Sequence, residues 1–218
     1  MQEVILVHGW LSGPRHHWFP WLKEELTNQG YKVMTPVMPN PIRPEKEQWV
    51  AKLKEILKTK DPKKTILIGH SLGVPTILYA LQGHKGPGFA QVILVSGFGR
   101  NIPHLKLVAR DYDMHFDMDE IKPKADQWTV IHGDNDPLVP IREGEWLANR
   151  LGVDLIIEKN GGHLTQYRGV FKLDSVLKSI AEGDPLSPEV KEEIKPAESK
   201  FIKLESALRE ILKLKTNK

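Results

Sequence analysis

Gly69-His70-Ser71-Leu72-Gly73 directly follows the apolar run Thr65-Ile66-Leu67-Ile68 and directly precedes a segment of helical period. A strained strand-to-helix turn at such a place holds the middle serine clear of a sheet, and side chains at the two flanking glycines would collide with neighbouring backbone. A serine hydroxyl is a poor nucleophile at neutral pH. Nucleophilic catalysis therefore asks for a base, a carboxylate to orient it, and N–H donors for the oxyanion. Candidates for the carboxylate and the base follow in the order acid then histidine, each after a strand-like run. Gly133-Asp134-Asn135-Asp136-Pro137 comes after Trp128-Thr129-Val130-Ile131, and Gly161-Gly162-His163-Leu164 after Leu155-Ile156-Ile157.

His163 is the candidate base, and the two glycines before it permit the turn that swings its imidazole toward Ser71. The acid is Asp136 or Asp134. Pro137 holds Asp136 extended, as suits a carboxylate reaching toward another loop, and makes it the preferred choice. Asp134 could instead bond the backbone of its own tight turn. The backbone N–H of Leu72, at a helix N-terminus, and that of Trp10, in His8-Gly9-Trp10 after the first strand, are the candidate oxyanion donors.

A scaffold must bring these distant loops together. Val4-Ile5-Leu6-Val7, the three runs named above and Val92-Ile93-Leu94-Val95 are continuous and β-branched, which predicts strands covered on both faces; 31–37 is a weaker one. Between them, 18–28, 48–58, 72–81 and 141–151 place apolar residues three and four apart, as helices on a sheet do. The alternation predicts an α/β fold, a doubly wound and mostly parallel sheet with helices on both faces. Residues 98–126 form a long connection that reads as a loop anchored by Tyr112, Met114, Phe116 and Met118, too short for a large cap. Two segments are expected: a domain over 1–182, and a linker with an amphipathic C-terminal helix over 183–218. In that tail Ala197, Phe201, Leu204, Leu208, Ile211 and Leu212 make one stripe, which either lies on its own domain or pairs with a second copy as a homo-oligomer.

The 218 residues, 40% hydrophobic and 27% charged, suffice for a full core without a staple. Zero cysteines exclude disulfides, zinc–thiolate sites and a thiol nucleophile. The net charge of +3 comes from Lys and Arg interleaved with Glu and Asp, which argues against nucleic acid. No stretch approaches a membrane span, and the strand at Val4 leaves no room for a leader, so a cytoplasmic protein is expected. None of the nine histidines sits at a metal-ligand spacing, and no phosphate loop occurs, so neither metal nor cofactor is expected.

His8-Gly9-Trp10, Gly69-His70-Ser71-Leu72-Gly73, Asp136-Pro137-Leu138-Val139-Pro140 and Gly162-His163, in this order, resemble the α/β-hydrolase superfamily. More narrowly, they resemble the small, lidless serine hydrolases grouped with retinoblastoma-binding protein nine. The resemblance covers residue 1 to about residue 181. It implies Ser71, Asp136 and His163 as a catalytic triad that cleaves small carboxylic esters or amides through an acyl-enzyme. Two departures stand out: the tail exceeds the compact fold, and without cysteine there is no Leu-x-Cys-x-Glu segment for retinoblastoma-type pocket proteins. The rival expectation is a non-catalytic protein that keeps the fold and binds a partner through its tail.

Overall fold

The computed structural model describes residues 1–106, 109 and 111–183. Its elements are β1 (Glu3–Val7), α1 (Phe19–Asn28), β2 (Lys32–Met34), α2 (Lys46–Leu57), β3 (Thr65–His70), α3 (Gly73–Leu81), β4 (Gln91–Val95), α4 (Met118–Ile121), β5 (Trp128–Gly133), α5 (Ile141–Leu151), β6 (Leu155–Glu158) and α6 (Asp174–Gly183). The six strands form one sheet in the order β2-β1-β3-β4-β5-β6, and all five pairings are parallel.

Continuous apolar strands make sense because successive side chains enter two different cores. Ile5, Val7, Leu67, Val92, Leu94 and Val130 pack with Trp49 and Leu53 of α2, Ile77 and Leu78 of α3, and Leu147 of α5. Val4, Leu6, Ile66, Ile68, Ile93 and Ile131 pack with Phe19, Leu22 and Leu26 of α1 and Val176 and Ile180 of α6. Burying each such side chain is worth roughly 1.5–3 kcal/mol. The strand order reverses between β1 and β3, and a crevice opens where the following loops diverge from such a switch point. Those two loops carry His8-Gly9-Trp10 and Ser71.

Several details differ from expectation, among them small shifts in the bounds of α1 and α2 and the short α4 inside the segment read as a loop. The strand expected over 31–37 is only Lys32–Met34, since it lies at the sheet edge and Pro36 offers no N–H to continue the ladder. Helix α3 starts one residue later, at Gly73, with Leu72 at its cap. Helix α6 was not expected at all. Of the residues expected to anchor the segment after β4, Tyr112, Met114 and Met118 are buried and Phe116 is partly buried, and the Tyr112 hydroxyl lies 2.9 Å from Thr76 Oγ1. The linker and amphipathic helix expected beyond 183, with any pairing to a second copy, lie outside the described residues. Among the described residues no helix is long and apolar enough to cross a membrane.

Candidate active site

Ser71 sits between β3 and α3 with φ of +55°, the left-handed region that a non-glycine residue enters only where surrounding structure compels it. Its N–H donates to Val95 O (2.9 Å) and its carbonyl accepts from Val74 N–H (2.9 Å), so the turn is tied to β4 and to α3. Both flanking glycines are required by space. A Cβ at Gly69 would lie 2.9 Å from the Gly73 backbone, and one at Gly73 would overlap Val7 O. Val7 belongs to a central strand and cannot retreat. Gly73→Ala is therefore expected to cost at least about 3 kcal/mol, a fall in melting temperature of about 6–12 °C. Thermal unfolding checks this, and an unchanged transition would contradict the packing described.

His163 arrives from the loop after β6. Its Nε2 lies 2.9 Å from Ser71 Oγ and its Nδ1 2.7 Å from Asp136 Oδ2. The loops of Asp136 and His163 are clamped together: Asn135 Oδ1 accepts from Gly162 N–H and Asp134 Oδ1 from Asn160 N–H, both at 2.7 Å. Asp134 is thus exposed and serves the neighbouring loop, rather than its own turn as considered from sequence. Asp136 is buried. Its Oδ1 accepts from the N–H groups of Leu138 (2.9 Å) and Val139 (3.0 Å). Burial pushes its carboxyl upward, but the bond from His163 and those two N–H groups outweigh this and hold it below the usual carboxylate range.

Sequence reasoning missed three histidines around this relay. His70 donates Nε2–H to the His163 carbonyl at 3.0 Å, and its ring stands 5.1 Å from that of His163. His132 donates Nε2–H to Val139 O at 2.9 Å and lies 3.6 Å from Asp136 Oδ2. His17 backs the pocket, with its own N–H on Gln166 Oε1 at 2.9 Å. His70 and His17 act on partners remote in the chain, while His132 meets Val139 and Asp136 only seven and four residues on, at no spacing that marks a motif.

The loop after β1 lies against Ser71: a Cβ at Gly9 would come within 2.8 Å of Ser71 Cβ. His8 fixes this loop, its Nδ1–H on Gly9 O (2.8 Å) and its Nε2 accepting from Met38 N–H (3.1 Å). Trp10 and Leu72 both line the cavity that holds Ser71 and His163. Among the described residues neither of their backbone N–H groups donates to another backbone carbonyl. The cavity has a volume of about 450 Å³ and mostly apolar walls, including Leu11, Phe98, Leu105 and Leu138. Among the described residues no group of His, Asp and Glu side chains is arranged to hold a metal ion.

Burial pushes His8, His70 and His132 below the ordinary imidazole value, and His17 down to about 4. Below about pH 6.5 the unfolded chain binds protons at these positions that the folded chain refuses, so stability rises with pH across that window and is complete above it. Acidification from pH 7.5 to 5 is expected to lower the urea midpoint, with roughly 2 kcal/mol lost through His17 alone. A midpoint unchanged over that range would show that these rings are not held neutral. Asp136 acts in the same direction but lower, its contribution being lost only as pH falls through its depressed value.

A family model described as serine hydrolase matches residues 4–182. YdeN of Bacillus subtilis (strain 168) is 32% identical over 176 residues, which cover 80% of this chain and 92% of YdeN. The crystal structure of the B. subtilis ydeN gene product superposes with a TM-score of 0.80 at 30% identity, covering 84% of this chain and 98% of that one. A YdeN-like hydrolase from Pectobacterium atrosepticum shares the fold, with a TM-score of 0.63 at 21% identity over 83% of this chain and 90% of its own. Because the family match runs from β1 into α6 and so takes in both ends of the assembled site, the chain belongs to the serine hydrolases of the α/β-hydrolase superfamily.

Proposed function

We propose that this chain is a carboxylesterase-type hydrolase of small carboxylic esters or amides, with Ser71 as nucleophile, His163 as base and acid, and Asp136 as orienting carboxylate. The unbroken relay from Ser71 Oγ through both ring nitrogens of His163 to Asp136 carries this reading. An ionised Asp136 only accepts, so the shared proton sits on His163 Nδ1 and leaves Nε2 free to accept from the serine hydroxyl. As Oγ bonds to the substrate carbonyl carbon, Nε2 takes the hydroxyl proton and the carbonyl π pair moves onto oxygen. The N–H groups of Leu72 and Trp10 receive that oxyanion. Collapse expels the alcohol or amine with a proton from Nε2, leaving the acyl group on Ser71. Water then gives its proton to Nε2, attacks the acyl carbon and releases the acid, restoring the serine.

The cavity of about 450 Å³, walled by aliphatic and aromatic side chains, suits a short acyl group. Treatment with a fluorophosphonate probe is expected to modify Ser71 alone, as read by peptide mass spectrometry. A folded protein that stays unlabelled, or is labelled elsewhere, would overturn the assignment.

A further inference from the structure

The cavity in front of Ser71 holds a single permanent charge among the described residues. Arg168 lines it, and no carboxylate does. His17 and His70, which also line it, are kept toward the neutral form by burial. The ion pairs of the described residues engage Arg100 and Arg142 but not Arg168. An exposed arginine is ordinarily a solvated surface group, yet three features set this one apart. Its backbone is pinned in a tight turn, with Arg168 N–H on Thr165 O (2.9 Å), Gly169 N–H on Gln166 O (3.0 Å) and Val170 N–H on Thr165 O (3.1 Å). That turn is tied to the loop that carries His17, where Gln166 Oε1 accepts from His17 N–H at 2.9 Å. The Arg168 stem also runs along Gly162: a Cβ there would lie 2.9 Å from Arg168 Cγ, 3.3 Å from Cδ and 3.4 Å from Nε. Gly162 immediately precedes His163, so the Arg168 side chain runs beside the residue before His163 and is counted in the same cavity wall. Beside apolar walls a charge pair is screened less than in open water, and a guanidinium fork matches a carboxylate through two parallel hydrogen bonds.

We propose that Arg168 is a carboxylate-recognising subsite, so that the preferred substrate is an ester or amide carrying a free carboxylate a few bonds from the scissile carbonyl. This rests on the hydrolytic reading above and names its substrate class. The carboxylate belongs either to the acyl group or to the leaving group. Mono-4-nitrophenyl glutarate carries it on the acyl side, the butyrate ester of 4-hydroxybenzoate on the leaving side, and 4-nitrophenyl butyrate nowhere. In Arg168→Gln, kcat/KM for one of the anionic esters relative to the neutral one is expected to fall about tenfold or more, with partial recovery in Arg168→Lys. The wild-type preference should also weaken as salt is raised from roughly 50 to 500 mM. A smaller change for both anionic esters overturns the subsite. Binding of glutarate to Ser71→Ala protein, followed by saturation-transfer NMR, reads the same subsite without turnover. Binding that disappears when Arg168→Gln is added upholds the subsite even if none of the three esters is hydrolysed, a result that would overturn the hydrolytic reading alone. Binding indifferent to Arg168, or none, overturns the subsite.

Discussion

Alanine in place of Ser71 is expected to cut hydrolysis of an activated ester by at least about 10⁴-fold while leaving the fold in place. The substitution deletes one hydroxyl, whose partner in the structure is His163 Nε2 at 2.9 Å. The backbone bonds that tie the elbow to β4 and α3 do not involve that oxygen, and alanine meets the same constraint at φ of +55° that serine does. A melting temperature within about 2 °C of the wild type should accompany the lost activity. The measurement is steady-state turnover of 4-nitrophenyl butyrate next to thermal unfolding of the same preparation. Undiminished turnover by a folded Ser71→Ala protein would remove the serine from the reaction.

Asp136→Asn should be nearly as damaging, with a loss of up to about 10⁴-fold, and for a reason that leaves the surroundings intact. An asparagine Oδ1 still accepts from the Leu138 and Val139 N–H groups, so the turn keeps both bonds. What changes is the side facing His163 Nδ1, where a carboxylate oxygen at 2.7 Å is replaced by an amide that can present its NH₂. The imidazole then places its proton on Nε2, where it blocks acceptance from Ser71. Asp134→Asn keeps an oxygen for Asn160 N–H and does not touch the imidazole, so its loss should stay within about threefold. Turnover of the two variants under one set of conditions decides between the aspartates, and the reverse ranking would move the orienting role to Asp134.

Chain order and glycine placement made Ser71, His163 and the acid loop visible in the sequence, because a hydroxyl lifted from a strand end can be served only by loops at the same sheet edge. The central strands were legible for a related reason. Val4 and Leu6 face one core while Ile5 and Val7 face the other, and only an uninterrupted apolar run can fill both. Helix α6 escaped notice: its buried face is little more than Val176, Ile180 and Ala181, Ser175 and Ser179 dilute the pattern, and Gly183-Asp184-Pro185 behind it reads as punctuation. The parts played by His70 and His132 could not be read at all. His70 serves a carbonyl 93 residues away, and His132 matters through its position beside Asp136 and beneath Gly144, whose missing Cβ leaves room for the ring. The first role is a property of a closed tertiary contact, which local spacing does not encode; the second has its partners four and seven residues on, but only the folded loop turns them back onto the ring.

The site draws on residue 10 at one end of the domain and residue 163 near the other, and the bonds across that span are few. Trp18 Nε1–H reaches Leu164 O over 146 residues, and His17 N–H reaches Gln166 over 149. Loops that long close late in folding, since the entropy of bringing their ends together is spent before any contact rewards it. Synthesis from the N-terminus compounds the delay. A ribosome that has made the elbow and the first five strands has still not made His163, so a growing chain carries Ser71 through the next 92 residues of synthesis without the base proposed for it. On the proposed roles catalytic competence is acquired late, and turnover becomes a reporter of complete folding: an event that peels β6 and its loop from the sheet, by truncation, heat or a protease, is expected to silence the enzyme while the sheet behind it still stands.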